Sequence, residues 1–289
     1  KTINIKNLDD MSAYLFVHFV DTQEDATREQ IYFSVSKDGK TWTTLNNKQP
    51  YLTSNVGTQG VRDPYILRGE DGKFFIIATD LSVYNLKNNW TAAAQQGSKS
   101  IVVWESSDLV NWSEASLVKI NNDNAGCTWA PEACYDPEKD EYMVFWASVV
   151  SDDSYQKYRI YRSYTKDFKT FSAPELYIEE PNAVIDTTII DHEGTYYRFT
   201  KNEAKSSITM QECTSLSGDW KDVASYNLGS MTGYEGPTIY KLNGKNEWCL
   251  LLDYFSKSKG YKPFVPILQR VNLRQIQTSR LTVHIVTVL

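Results

Sequence analysis

The chain has 289 residues, of which 41% are hydrophobic, 13% aromatic and 23% charged, a make-up that excludes disordered and low-complexity classes and suffices for a large core. Thirty basic against 36 acidic residues leave a formal net charge of -6, which argues against nucleic acid as a partner. No run approaches the roughly 20 apolar residues that span a bilayer, so no membrane partner is expected; the start at Lys1-Thr2-Ile3-Asn4, without initiator Met or signal-like apolar stretch, reads as an excised or processed chain.

In chain order, the first unit is the apolar run Tyr14 to Val20, then Ile31-Tyr32-Phe33-Ser34-Val35, the polar step Lys37-Asp38-Gly39 and Trp42. The second opens on Val61-Arg62-Asp63-Pro64-Tyr65-Ile66, continues through Phe74 to Thr79 and Ile101 to Glu105, and reaches Asp108 and Trp112. The third repeats this with Trp129-Ala130-Pro131-Glu132-Ala133, Tyr142 to Val149, Ile160 to Tyr164, Asp167 and Phe171. A fourth runs from Val184-Ile185-Asp186-Thr187-Thr188-Ile189 through Thr195 to Thr200 and Ile208 to Trp220, with Ser215 where the others carry Asp. A fifth begins at Tyr234-Glu235-Gly236-Pro237-Thr238-Ile239 and continues at Trp248 to Tyr254.

In the first three units the Asp lies seven residues and the aromatic eleven residues after the Ile. That spacing predicts a strand, a turn whose Asp bonds nearby backbone N–H groups, and a short outer strand anchored by a ring. The β-branched and aromatic runs predict buried strands, and Glu70-Asp71-Gly72, Asp136-Pro137-Glu138, His192-Glu193-Gly194 and Asn243-Gly244-Lys245 predict hairpins. No long helix is expected. Hairpin units recurring every 50 to 70 residues predict an all-β fold, a five-bladed β-propeller, over residues 1–289 as one domain. The run from Tyr14 lacks a first strand of its own, so Leu281 to Leu289 is expected to supply it and close the ring. From Val265 onward there is no Asp or Glu; this stretch reads as a divergent closing blade, a cloning-derived tail or a shifted reading frame.

In a propeller the starts of the inner strands converge on one axis. Asp63, Glu132, Asp186 and Glu235 are expected at one such position in four blades. A lone carboxylate near a turn reads as a cap, but several on one axis repel one another and point to a use. Glycoside hydrolysis is that use: it needs one protonated carboxyl for the leaving oxygen and one ionised carboxylate as base or nucleophile. A third acid beside the proton donor keeps it protonated. The four cysteines show no Cys-x-x-Cys pairing and only three histidines exist, so no metal site is expected, the thiols read as buried, and the compartment is not readable.

The set Arg62-Asp63-Pro64, Trp129-Ala130-Pro131-Glu132, Ile185-Asp186 and Glu235-Gly236-Pro237 resembles glycoside hydrolase family 43, across roughly residues 11 to 264. The resemblance implies a five-bladed propeller that inverts at the anomeric carbon and acts on α-L-arabinofuranosides or β-D-xylosides, or on galactofuranosides or galactosides, of plant polysaccharides. It gives Asp63 the part of general base, Asp186 that of modulator and Glu235 that of general acid. Inversion implies about 6.5–9.5 Å between the Asp63 and Glu235 carboxyls. No cofactor is required; relatives often hold an axial His, sometimes with a calcium ion or water, for which His284 is the one candidate here, although a lone His on an apolar strand is more often a packed core residue.

Trp129 is expected either to stack on a sugar face or to pack a blade, and Glu132 either to accept from a sugar hydroxyl or to serve the structure. Trp90, in the polar insertion from Tyr84 to Ser100, would form a pocket wall or an Ω-like loop, and a wall favours exo cleavage. Arg62 and Arg198 would orient the acids by bidentate pairing. A propeller that only binds carbohydrate, or a protein-interaction scaffold, would need no converging acids.

Overall fold

The computed structural model describes residues 13–20, 24–245 and 247–264, and the backbone of 285–287. Five sheets follow one another along the chain. The first contains β1 (Tyr14–His18), β2 (Tyr32–Ser36) and β3 (Thr43–Thr44); the second β4 (Val61–Arg68), β5 (Phe74–Asp80), β6 (Ser100–Ser106) and β7 (Ser116–Lys119). The third is β8 (Trp129–Asp136), β9 (Glu141–Ser148), β10 (Arg159–Thr165) and β11 (Glu175–Ile178), and the fourth β12 (Val184–His192), β13 (Thr195–Asn202), β14 (Ser207–Cys213) and β15 (Lys221–Asp222). The last holds β16 (Glu235–Lys241), β17 (Trp248–Asp253) and β18 (Tyr261–Phe264). β19 (Ile285–Thr287) lies on the inner side of β1 in the first sheet, with Leu15 opposite Ile285.

Each sheet is a blade of a β-propeller. The innermost strands β4, β8, β12, β16 and β19 pack in a closed ring, so β1 is the second strand of its blade, as its missing partner in the sequence requires. β19 pairs with β1 in parallel, whereas β4, β8, β12 and β16 pair antiparallel with the strands that follow them. His284 lies outside the described residues, as does most of the tail from Val265.

The middle strands read as continuous apolar runs because both of their faces are buried between blades. On β5, Phe75 and Ile77 join Val144, Trp146 and Phe168 of the third blade, while Ile76 and Ala78 join Val17 and Phe33 of the first. Similar cores fill the remaining three gaps, around Phe145 and Ile189, around Phe199 and Leu250, and around Tyr14 and Leu251. The ring eleven residues after each Ile enters this packing: Trp42 lies 4.9 Å from Phe16, Trp112 meets Phe33 edge-on at 5.9 Å, and Phe171 packs on the core that holds Phe75 and Trp146.

The turns behave as their sequence requires. Asp38 accepts the N–H groups of Lys40 and Thr41, Asp108 those of Val110 and Asn111, and Asp167 those of Lys169 and Thr170. These bonds favour the ionised carboxylate and hold all three below the ordinary value, Asp108 at about 2. Among the described residues no helix is long and apolar enough to cross a membrane. α1 (Trp90–Gln95) forms in the 84–100 insertion, where Ala92 N–H donates to Asn89 at 3.0 Å, an ordinary Asn cap.

Candidate active site

The inner strands β4, β8, β12 and β16 share one irregularity near their starts. Pairing with the next strand shifts between Arg62 and Tyr65, Trp129 and Glu132, Ile185 and Thr187, and Glu235 and Thr238. Each shift contains a residue with left-handed backbone: Asp63 at φ 49, Ala130 at 47, Asp186 at 47 and Gly236 at 53. Such bulges bend a strand and re-aim its side chains. Asp and Gly tolerate this conformation better than most residues, and Pro64, Pro131 and Pro237 follow where the ladder is already broken.

This geometry corrects the expected alignment of four carboxylates. Asp63, Ala130, Asp186 and Gly236 are the equivalent residues. Glu235 precedes its left-handed residue by one and Glu132 follows its own by two, because the bulge, not the nearest acidic letter, sets the register. Glu235 is therefore equivalent to Arg62, Trp129 and Ile185.

Asp63, Asp186 and Glu235 nevertheless come together. Gly236 N–H donates to Asp186 Oδ2 at 3.1 Å, tying the fourth blade to the strand that carries Glu235. Burial pushes the Asp186 carboxyl well above the usual range, helped by the negative charges of Glu235 and Asp63; Lys201 and the Gly236 N–H oppose the rise. The Thr79 hydroxyl donates to Asp63 Oδ2 at 3.0 Å and accepts Ala130 N–H at 2.8 Å, so one side chain fixes the base candidate and the neighbouring bulge.

Glu132 lies deeper. Its Oε2 is shut off from solvent and has no hydrogen-bond partner among the described residues. Burial, outweighing a hydrogen bond with Thr188 and aided by Asp186, pushes its carboxyl well above the ordinary value.

A wall of rings stands beside these acids. Trp129 stacks on Tyr158 at 5.4 Å and meets Trp90 edge-on at 6.1 Å; the Trp90 ring, 43% exposed, covers the Arg62 guanidinium at 5.2 Å. Arg62 is buried against Phe19 and pairs with Glu29 at 3.0 Å. Glu29 also receives Ser82 Oγ and the N–H groups of Val83 and Tyr84, so it pins the start of the 84–100 insertion to Arg62.

Arg198 is a correction. It donates to Gln211 at 2.7 Å and lies over Trp220 at 4.4 Å, on the face of β13 turned toward the third blade, because strand residues of opposite parity face opposite ways. Lys201 has the other parity, and this residue, overlooked in the sequence, faces the acids: its ammonium is 2.6 Å from Glu235 Oε2 and 2.7 Å from Glu203 Oε1. The signal was a second charged residue, of opposite parity to Arg198, directly after the run Tyr196 to Thr200. Glu29, Thr79, Glu203 and Phe255 also escape motif reading, since nothing local distinguishes them. Among the described residues no group of three or more His, Cys, Asp or Glu side chains is placed so as to hold a metal ion.

A family model described as a probable glycosyl hydrolase domain, related to family 43, matches residues 9–282. The chain belongs to this family of glycosyl hydrolases. The hydrolase domain is 34% identical over 276 residues to an alpha-L-arabinofuranosidase of Bifidobacterium longum, a match covering 82% of this chain and 26% of that protein. It thus spans about a quarter of the length of that curated relative. Its fold is similar to an endo-arabinase from Bacteroides thetaiotaomicron, with a TM-score of 0.63 at 14% identity, covering 90% of this chain and 91% of the other. It is also similar to an exo-1,5-alpha-L-arabinanase from a bovine ruminal metagenomic library, with 0.59 at 15% and 89% of each chain covered.

Proposed function

We propose that this domain is an inverting, exo-acting α-L-arabinofuranosidase, with Asp63 as general base, Glu235 as general acid and Asp186 as the group that sets the acid's protonation and orientation. The observation that carries the reading is the convergence of these carboxyls from three inner strands, with Asp186 bonded to the Gly236 N–H and under the charges of Asp63 and Glu235. The name of the Bifidobacterium longum relative favours arabinose as the sugar.

In the reaction, ionised Asp63 takes a proton from water as the water oxygen bonds to the anomeric carbon. The glycosidic C–O bond breaks on the opposite face, and Glu235 gives its proton to the departing oxygen. Asp63 then loses its proton to solvent and Glu235 regains one. Thr79 holds Asp63 in the acceptor orientation. Trp90 and Trp129 close one side of the site and offer apolar faces to the ring C–H groups of the sugar, and a wall formed by the insertion carrying Trp90 favours a chain end over a chain interior.

The test is release of nitrophenol from α-L-arabinofuranoside and β-D-xyloside substrates, with Asp63→Asn as the blank and the product anomer followed by NMR. Arabinofuranoside cleavage with inverted product, absent in the blank, is the expected outcome. Release of xylose alone would move the substrate to xylosides, and retained configuration would overturn the roles of the acids.

A further inference from the structure

The candidate acid does not face Asp186 alone. Lys201 is buried, its side chain only 5% exposed, and it reaches Glu235 and Glu203, whose side chains are 29% and 35% exposed. Its ammonium also lies 4.6 Å from the Phe255 ring centroid. Burying an ammonium is costly unless negative charge meets it. Here burial pushes the Lys201 ammonium down, but the charges of Asp186 and Glu235, the close Glu203 carboxylate and the hydrogen bond to Glu235 outweigh it and hold the group above its ordinary value.

The neighbouring groups come from every side. Asp186 faces Lys201 from β12, Glu235 from β16 and Glu203 from the turn after β13. Asp63 acts on Asp186, which acts on Glu132; Glu203 acts on Tyr158; and Asp253 stands opposite Glu235 in register. The chemistry imposes a condition on this cluster. General-acid work needs a proton on Glu235 with Asp186 ionised, whereas a pair without any proton cannot donate and a fully protonated pair cannot re-ionise Asp186. One proton on two carboxyls leaves a single negative charge, which one ammonium balances.

We infer that Lys201 is a positioning residue for the acid: its ammonium is the counter-charge that keeps a single proton on the Asp186 and Glu235 pair, and Glu203 is the second anchor that tempers its hold on Glu235. The inference rests on the reading of Glu235 as general acid. Its consequence has a sign. Removing the ammonium makes ionisation of the pair harder and moves the alkaline limb of the pH profile upward. Removing Glu203 leaves the ammonium to the Asp186 and Glu235 pair and moves that limb downward.

The experiment is kcat/KM against pH on an alkyl arabinofuranoside, whose leaving group needs an acid, for wild type, Lys201→Met, Lys201→Arg, Glu203→Gln and Glu235→Gln. A dinitrophenyl arabinofuranoside, which needs no acid, serves as the parallel substrate. Lys201→Met is expected to shift the alkaline limb up by about one pH unit, Lys201→Arg to restore it and Glu203→Gln to shift it down, all on the alkyl substrate only. A Lys201→Met profile lowered equally at every pH, with the limb unmoved, would overturn the inference and leave Lys201 a packing group. Should Lys201→Met fail to fold, Glu203→Gln decides by the direction of its shift, an unmoved limb being the adverse result. Failure of the acid assignment shows separately, as wild-type turnover of the alkyl substrate by Glu235→Gln.

Discussion

At the turns after the third strands, Asp38, Asp108 and Asp167 each accept two backbone N–H groups at 2.7–2.9 Å and are held ionised. At the opposite end of the blades, where the inner strands begin, Asp186 and Glu132 are pushed the other way by burial and by neighbouring acids. One residue class thus does two jobs. Donors aimed at a carboxylate in water make a rigid turn, and carboxyls withdrawn from water beside like charge ionise less readily. Glu29 is a third case: fully buried, it meets Arg62, Ser82 and two backbone N–H groups, so its burial is matched by partners.

The comparison can be broken by substitution. The largest effect is expected at the proton-handling end: Asp63→Asn and Glu235→Gln each lower turnover on an alkyl arabinofuranoside by about 10²–10⁴-fold, with the far-UV circular dichroism spectrum still that of the folded protein. Glu29→Ala leaves the Arg62 guanidinium buried without that partner and is expected to cost about 3–5 kcal/mol in urea unfolding.

Glu132→Gln is expected to stabilise the protein at pH 8. A carboxyl whose folded value is raised contributes stability below its unfolded value, and loses it as pH rises through the folded one. The neutral amide removes that loss, so the melting temperature of the variant should fall less than that of wild type between pH 5 and pH 8. The smallest effect belongs to Asp108→Ala. The folded value of Asp108 is depressed, so its contribution is present above the unfolded value and disappears as pH falls toward about 2. Wild type and variant should differ slightly in melting temperature at pH 7 and coincide near that acid limit.

Much of this molecule was legible in the sequence because its determinants are local. The seven- and eleven-residue spacings encode a strand, an Asp-capped turn and an anchoring ring, each set by neighbours within a dozen residues. The apolar runs encode middle strands with two buried faces. A missing first strand before Tyr14 required another segment to supply it, and β19 stands beside β1. The acids Asp63, Asp186 and Glu235 were legible because each sits in a short motif.

Tertiary structure alone decided the rest. The bulges fixed which residues are equivalent, separating Glu132 and Glu235 from the position of Asp63 and Asp186, because a left-handed residue shifts every side chain beyond it. Parity along β13 sent Arg198 to Trp220 and Lys201 to Glu235, a choice set by which blade packs on each face. Glu29 and Thr79 acquired their partners only when the strands closed on one axis, since no residue near them in the chain requires those contacts.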